Sequence, residues 1–298
     1  RADVMRVASQ YLNKSYLVVK KVKGTITPAK IEKPGITAVK VDPSRQGAFA
    51  KSILDMQAAP IEPVALREGK DYERTTLVTG PLVSVKNERN GLFSLSHEYE
   101  YGRTDDKLLC FALEVLKVSG AGKRSAEQLG RQLHELGISV DTRCSRVKSE
   151  ITISGLERNL DAGMTLLREW LADPNFDDTT VKARVTASLT ERTNAVSNPQ
   201  VIGAASQSFA RFGDDSDFLV VATNKELQAA TPAQLKKSLA KFLQLKHRTS
   251  YFGPQRGKDA GSIALGDGKL AARVARPARF RKPNTVLAVD QATAQTHV

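Results

Sequence analysis

The chain has 298 residues, of which 41% are hydrophobic, and it carries a formal net charge of +13. That length and apolar content suffice for one large or two modest globular domains. The positive charge does not indicate nucleic-acid binding, because most of the excess lies in the flanks, 1–75 and 254–298, without an RNP-like motif, zinc-finger spacing or aromatic-interleaved basic patch. No apolar run approaches the ~20 residues of a membrane-spanning helix, so we expect neither a nucleic-acid partner nor a membrane span.

The N-terminal region predicts one helix, one strand and a long connector. DVMRVASQYL, residues 3–12, has apolar residues at helical spacing with Asp3 as its N-cap, and the strand SYLVVKKV follows. Five prolines punctuate residues 25–71, where only QGAFAKSILDM predicts a short helix. We therefore expect residues 25–71 to form a semi-stiff, extended connector.

From residue 76 onward the sequence alternates between strand and helix patterns. TTLVTGPLVSVKN and GLFSLSHEYEYG are separated by the turn-like ERNG and predict a paired hairpin. DDKLLCFALEVLKVS predicts a helix. SAEQLGRQLHELG predicts a second helix with a capping box from Ser125 to Gln128 and a C-terminal Gly137.

The remainder of this region continues the alternation. ISVDTRCS and KSEITISGL predict two strands, and RNLDAGMTLLREWLADP predicts a helix. A long helical stretch then runs from Asp177 to the break at Asn198–Pro199. TPAQLKKSLAKFLQL, capped by Thr231, predicts the last clear helix, and HRTSYFGP the last strand.

Two internal sequence similarities indicate tandem repeats of roughly 200 residues. VMRVASQYLNKSYLVVKKVKG resembles LKKSLAKFLQLKHRTSYFGP, since both are an amphipathic helix ending in aromatic–Leu–amide and followed by a strand. LVSVKNERNGLFSL similarly resembles NTVLAVDQATAQTHV. We predict the tail of one repeat at 1–24, the connector at 25–71, a complete repeat at 72–254, a linker at 255–283 and the start of another repeat at 284–298.

In this order of elements the chain resembles the insulinase/pitrilysin family of zinc metallopeptidases, M16. The phrases that carry the resemblance are NGLFSLSHEYEYG, GAGKRSAEQLGRQLHELG, ISGLERNLDAGMTLLREWLADPNFDD and LAKFLQLKHRTSYFGP. The resemblance implies an α+β fold, an M16-like repeat with a largely antiparallel sheet packed against helices on one face. It also implies that other repeats of the same protein are partners.

The family's catalytic motif is degenerate in this chain. Active repeats carry HxxEH on their first helix, and that register places Phe111 and Val115 on the histidine positions and Glu114 on the general base. The third zinc ligand of active repeats falls on Glu191. A catalytic zinc needs three protein ligands and an open position, so the resemblance implies a catalytically inactive repeat without a cofactor, and zinc in an active repeat of the parent protein.

Glu114 has two interpretations at this stage. It is either a relic of the ancestral catalytic position within an apolar helix or a surface glutamate on an amphipathic helix. A hydrolase that uses Glu114 and Glu191 as acid and base is a weaker alternative, since no motif places a substrate between them.

Other candidate sites are weaker. The four histidines, His97, His134, His247 and His297, are expected to be surface or partly buried structural residues. Cys110 and Cys144 lack CxxC spacing, and we expect buried free thiols. FGDDSDF at 212–218 has three carboxylates that would hold Ca²⁺ weakly, but a solvated loop is the simpler interpretation.

The function implied by the resemblance is that of an internal, non-catalytic segment of an M16 metallopeptidase. Such a segment contributes to the chamber for an unfolded polypeptide substrate, through strand addition and apolar pockets, and to packing between repeats. The alternative is a zinc-less scaffold subunit of a larger assembly. We expect export, for example to the periplasm.

Overall fold

The computed structural model describes residues 2–12, 16–20, 32, 35, 42, 46–58, 61–255 and 262–271. The chain divides into two compact units, Arg1–Pro63 and Val64–Val298. The described parts of the first unit contain two helices, α1 (Ala2–Tyr11) and α2 (Ala48–Leu54), neither of which has a buried residue. Both helices were predicted, although α1 begins at Ala2 and places Asp3 within its first turn rather than at the cap.

Of the strand predicted over residues 15–22, the structure describes only residues 16–20, and these are not in a strand. The predicted repeat start at 284–298 lies outside the described residues. None of the helices in the described ranges is long and apolar enough to cross a membrane.

The second unit is an α+β domain with a six-stranded, mostly antiparallel sheet packed against helices. Its strands are β1 (Glu73–Leu77), β2 (Gly80–Lys86), β3 (Leu92–Tyr99), β4 (Gly120–Ala121), β5 (Ile138–Cys144), β6 (Ser149–Leu156), β7 (Pro174–Asn175) and β8 (Arg248–Gly253). Its helices are α3 (Leu109–Leu116), α4 (Ala126–Leu136), α5 (Leu160–Ala172), α6 (Asp178–Ala195), α7 (Pro199–Phe212), α8 (Asn224–Gln228) and α9 (Pro232–Leu243).

The sheet order is β1-β2-β8-β3-β6-β5, which corrects the predicted hairpin. β8 lies between β2 and β3, parallel to β2 and antiparallel to β3, so the two predicted partners never pair. The ERNG segment therefore connects β2 to β3 across the end of β8, which lies between them. Asn87 stabilises this crossing, since its side-chain amide donates to Asn90 Oδ1 (2.7 Å) and to the Leu92 carbonyl (2.9 Å). The tight hairpin lies instead within the first phrase, where β1 pairs with β2.

The core lies between one face of the sheet and the helices. In β3 the alternate residues Phe93, Leu95, His97 and Tyr99 are buried. α3 and α5 supply most of the facing apolar surface, including Leu109, Leu113, Leu116, Met164 and Leu167. This alternation is what a sheet with one helix-covered face requires.

The helix signals of the sequence are confirmed where local chemistry determines them. Ser125 and Gln128 form both halves of the capping box of α4, and Gly137 ends that helix in the left-handed conformation, with φ of 61°. Thr231 caps α9 in the same reciprocal manner with Gln234. Asn198 caps α7, so the break at Asn198–Pro199 separates two helices.

Residues 262–271 pack against this unit. Ile263 and Leu265 are buried, and the Arg168 guanidinium on α5 donates to the carbonyls of Ser262 and Ala264. The backbone of Leu270 exchanges hydrogen bonds with the chain just after α9, since Lys246 N donates to Leu270 O and Leu270 N donates to Gln244 O, each at 2.8 Å. This stretch is therefore part of the packed unit.

Candidate functional site

α3 places Phe111 and Val115, the two residues predicted at the histidine positions, in the hydrophobic core. Phe111 is 4% exposed and Val115 is fully buried. They are four residues apart and lie on the inward side of the helix, which is apolar because α3 packs against the sheet and α9. Neither side chain has an atom that can bind a metal.

Glu114 lies on the outer side of the same helix, with its side chain 47% exposed. α6 brings Arg184 and Glu191 to it. These two residues are seven positions apart, about two helical turns, so they share one face of α6. The two carboxylates that the sequence placed at the motif positions are thus brought together, with an arginine between them.

The Arg184 guanidinium binds both carboxylates. Its Nε and Nη2 donate to Glu114 Oε2 at 3.1 and 2.9 Å, and its Nη1 and Nη2 donate to Glu191 Oε1 and Oε2 at 3.1 and 3.2 Å. Partial burial disfavours the charged guanidinium, but the hydrogen bonds to the two glutamates outweigh this and raise the pKa of Arg184. Arg184 is therefore a permanent cation at the point where the carboxylates converge.

These residues do not fit a zinc ion. Two of the three residues predicted at the ligand positions are apolar and face the core, and Glu114 and Glu191 are both bound by a guanidinium whose charge would repel a divalent cation. In the ranges the structure describes, no three histidine, cysteine, aspartate or glutamate side chains are grouped so as to hold a metal ion. No catalytic step can be derived through a metal at this place.

Solved structures resemble this fold over most of the chain, although no protein-family model and no curated protein matches the sequence. One is the crystal structure of a peptidase M16 inactive domain from Pseudomonas fluorescens, 16% identical, with a TM-score of 0.59 over 72% of this chain and 54% of that chain. The chain has the fold of an M16 inactive repeat.

Larger proteins share this M16 fold with the chain. The periplasmic protease PqqL from Escherichia coli is 16% identical with a TM-score of 0.56, and the similarity covers 95% of this chain and 29% of that protein. The ferredoxin protease FusC, solved as a mutant in complex with Arabidopsis ferredoxin, is 14% identical with a TM-score of 0.57. The similarity covers 94% of this chain and 29% of that protein. The chain therefore spans about half of the first neighbour and under a third of these two.

A disulfide bond within the M16 fold overturns the expectation of free thiols. Cys110 on α3 and Cys144 at the end of β5 are joined, with their Cα atoms 5.3 Å apart. The two cysteines are 34 positions apart, and the chain between them folds through α4 and β5 and returns to α3, which sequence spacing alone does not reveal. The bond covalently ties the Glu114 helix to the outermost strand of the sheet.

Two of the histidines are more buried than the sequence suggested. His97 and His247 are 0% and 3% exposed, and His97 Nδ1 lies 3.1 Å from His247 Nε2. His247 Nδ1 lies 3.1 Å from the Leu245 carbonyl, so it donates there and its Nε2 accepts from His97. Burial lowers the pKa of both imidazoles, and Tyr99 stacks on His247, so the three rings form one buried cluster in the core. His134 is exposed and His297 lies outside the described residues.

The acidic loop at 212–218 interacts with arginines. Arg146 lies 3.4 Å from Asp215, and Arg103 lies 3.9 Å from Asp217. Asp215 and Asp217 are thus paired with arginines of the same domain. These ion pairs attach the acidic loop to the domain and account for its carboxylates.

Sequence reasoning found Glu114 and Glu191 but missed Arg184. The sequence signal that could have identified Arg184 is its spacing, because it precedes Glu191 by two turns of one helix. That spacing alone predicts only a shared face. The pairing with Glu114 across two helices required the fold.

Proposed function

We propose that this chain is an internal, non-catalytic segment of a larger M16 zinc metallopeptidase, in which it forms part of the polypeptide-substrate chamber and packs against other repeats. The observation that carries the proposal is what the structure places at the predicted motif positions. Phe111 and Val115, predicted at the histidine positions, are core residues, and Arg184 binds both Glu114 and Glu191. Zinc and hydrolysis then belong to another repeat of the same protein.

Packing against another repeat is supported by α1. Its side chains Val4 and Tyr11 are each 73% exposed, an unusual exposure for the apolar face of an amphipathic helix. In the internal sequence similarity between α1 and α9, these two residues correspond to Leu235 and Phe242 of α9. Both are fully buried in the core of the second unit. We infer that α1 closes the core of a different repeat in the way that α9 closes this one.

A polypeptide-binding role is supported by the neighbours and by the sheet. The FusC structure contains a protein, ferredoxin, as its bound partner. The sheet of this chain ends in two strands, β1 and β5, each paired on one side only within the part of the chain that the structure describes. Such edges are the usual sites at which an extended polypeptide adds to a domain.

Export is supported by the disulfide, since such bonds persist in oxidising compartments such as the periplasm. PqqL, one of the structural neighbours, is a periplasmic protease.

The test is a binding titration and a cleavage assay on the purified chain. Fluorescence anisotropy with labelled, reduced and carboxymethylated α-lactalbumin, a permanently unfolded polypeptide, is expected to show saturable binding. Incubation of the same polypeptide with the chain and zinc is expected to leave it intact. Cleavage that disappears in Glu114→Gln would contradict the proposal, and a stable stoichiometric protein partner without any polypeptide binding would favour the scaffold alternative.

A further inference from the structure

Residues 262–271, which we call the strap, are attached to the connection between α9 and β8. Lys246 N donates to the Leu270 carbonyl and Leu270 N donates to the Gln244 carbonyl, each at 2.8 Å. Leu245, which lies between these two residues of the connection, is 4% exposed. The end of the strap is therefore fixed to a buried part of the chain.

His247 ends this connection and fixes its position. Its backbone N–H donates to the Thr79 carbonyl at 2.8 Å, and its Nδ1 donates to the Leu245 carbonyl at 3.1 Å. Its Nε2 lies 3.1 Å from His97 Nδ1 and accepts a hydrogen bond from it. One imidazole thus joins the residues that hold the strap to His97 in the middle of β3.

The contact between the two rings has no place for added protons. Each neutral imidazole has one N–H donor and one lone pair, and the hydrogen bond between the rings uses a donor of His97 and the lone pair of His247. The remaining lone pair, on His97 Nε2, is buried without a hydrogen-bond partner among the described residues. A proton there stays unpaired, and a proton on His247 Nε2 places two N–H groups opposite each other across 3.1 Å. The rings therefore have to separate before both gain a proton.

The groups that face the pair do not compensate a positive charge. Among the described residues, the titratable and charged ones are Tyr99 of β3, which stacks on His247 with ring centroids 4.2 Å apart, and Arg168 of α5. Burial raises the pKa of the Tyr99 phenol, so Tyr99 supplies no negative charge. Burial, the neighbouring His247 and the positive charge of Arg168, in that order, lower the pKa of His97. No carboxylate of the described residues contributes to the pKa of either imidazole.

His247 is the side of the pair that is held less firmly. His97 lies within the sheet, opposite Ile151 of β6 and Thr249 of β8, so neighbouring strands hold its backbone on both sides. His247 precedes β8, which begins at Arg248. We therefore expect the rings to separate by movement of His247, which also moves the connection that holds the strap.

Arg168 couples the strap to the same pair through its charge. Its guanidinium donates to the carbonyls of Ser262 and Ala264 in the strap, and its positive charge opposes protonation of His97. When the strap leaves, these carbonyls no longer hold the guanidinium and water screens its charge. Release of the strap and protonation of the pair therefore favour each other, as linkage requires of coupled equilibria.

We propose that His97 and His247 form an acid-operated latch, in which protonation of the pair releases the strap from the second unit. The closed latch binds fewer protons than the released one, so the released state gains population as the pH falls. Residues 255–283 are predicted to link this repeat to the next, and a released strap lengthens that link. The latch does not depend on polypeptide binding.

Amide hydrogen exchange at pH 7 and pH 5, corrected for the chemical exchange rate at each pH, tests the latch. A histidine that takes up its proton only in the released state raises the population of that state about tenfold per pH unit below its ordinary pKa of about 6.5. The amides of Lys246 and Leu270, which join the connection to the strap, are expected to lose protection by about tenfold or more between pH 7 and pH 5. At pH 5 they should exchange faster than the amides of Ile151 and Ile153 in β6, which report on unfolding of the whole unit.

Two histidine variants separate the latch from a general effect of acid. His247→Asn removes the titrating ring at the connection, so protection at Leu270 should lose most of its pH dependence. His134→Asn is the matched control, since His134 is exposed on α4, and it should behave like the wild type. If His247→Asn does not fold, the comparison of Leu270 with Ile153 in the wild type still decides. Equal protection of Leu270 at both pH values, one common exchange rate for Leu270 and Ile153 at pH 5, or an unchanged pH dependence in His247→Asn would overturn the latch.

Discussion

Replacing Arg184 by methionine tests whether its guanidinium holds α3 and α6 together. Methionine keeps much of the apolar stem and removes the charge and every hydrogen bond to Glu114 and Glu191. The two carboxylates are 47% and 62% exposed, so solvent screens both pairs and each contributes about 0.2 to 1 kcal/mol. We expect Arg184→Met to lower the free energy of unfolding by about 1 to 2 kcal/mol, including the repulsion between the glutamates that lose their shared partner.

Urea denaturation followed by circular dichroism measures this difference, with Glu191→Gln as the control that removes only one of the two pairs. The control should lose less than Arg184→Met, and the difference between the variants should shrink in 1 M salt, where exposed charges are screened. Equal stability of Arg184→Met and the wild type at low salt would refute the view that this arginine links the two helices.

Three further predictions concern the core, the disulfide and a cap. The pKa of the buried His97 and His247 is lowered in the fold, so an unfolded chain binds protons more readily, and stability should fall by at most about 2 kcal/mol per histidine between pH 6.5 and pH 5. A urea midpoint that drops as steeply in His97→Asn as in the wild type would contradict this. The double variant Cys110→Ser, Cys144→Ser should lose about 4 kcal/mol, the chain-entropy value for a loop of this length, and an unchanged urea midpoint would argue against the bond. Thr231→Ala should cost about 1 kcal/mol, while Thr231→Ser should match the wild type.

Local chemistry in the sequence predicted the helices well. The ends of α4 follow from Ser125, Gln128 and Gly137 because capping is decided by residues within one turn of the helix end. The same holds for Thr231 at α9. The alternation of apolar and polar residues in the sequence likewise predicted β3, β5 and β6.

Contacts between distant residues could not be predicted in this way. The pairing of β2 with β8 joins residues far apart in the chain, and the alternation within β2 is the same whichever strand lies beside it. The Cys110–Cys144 bond and the contact between His97 and His247 depend on the same folding of distant segments.

The candidate site was predicted in part. The positions of Phe111, Glu114, Val115 and Glu191 came from a motif register, and the structure places the first and third in the core and joins the other two through Arg184. Of the two interpretations of Glu114, the exposure of its side chain fits a surface position. Its ionic partner is a residue that periodicity in α3 could not identify.

The most direct test of a non-catalytic repeat is the zinc content of the purified chain, measured by mass spectrometry after dialysis against dilute zinc. We predict no stoichiometric zinc in the wild type and none in Glu191→Ala. A known zinc enzyme dialysed in parallel shows that the assay detects a bound zinc. One tightly held zinc per wild-type chain, lost in Glu191→Ala, would contradict the non-catalytic reading and make this repeat a candidate enzyme.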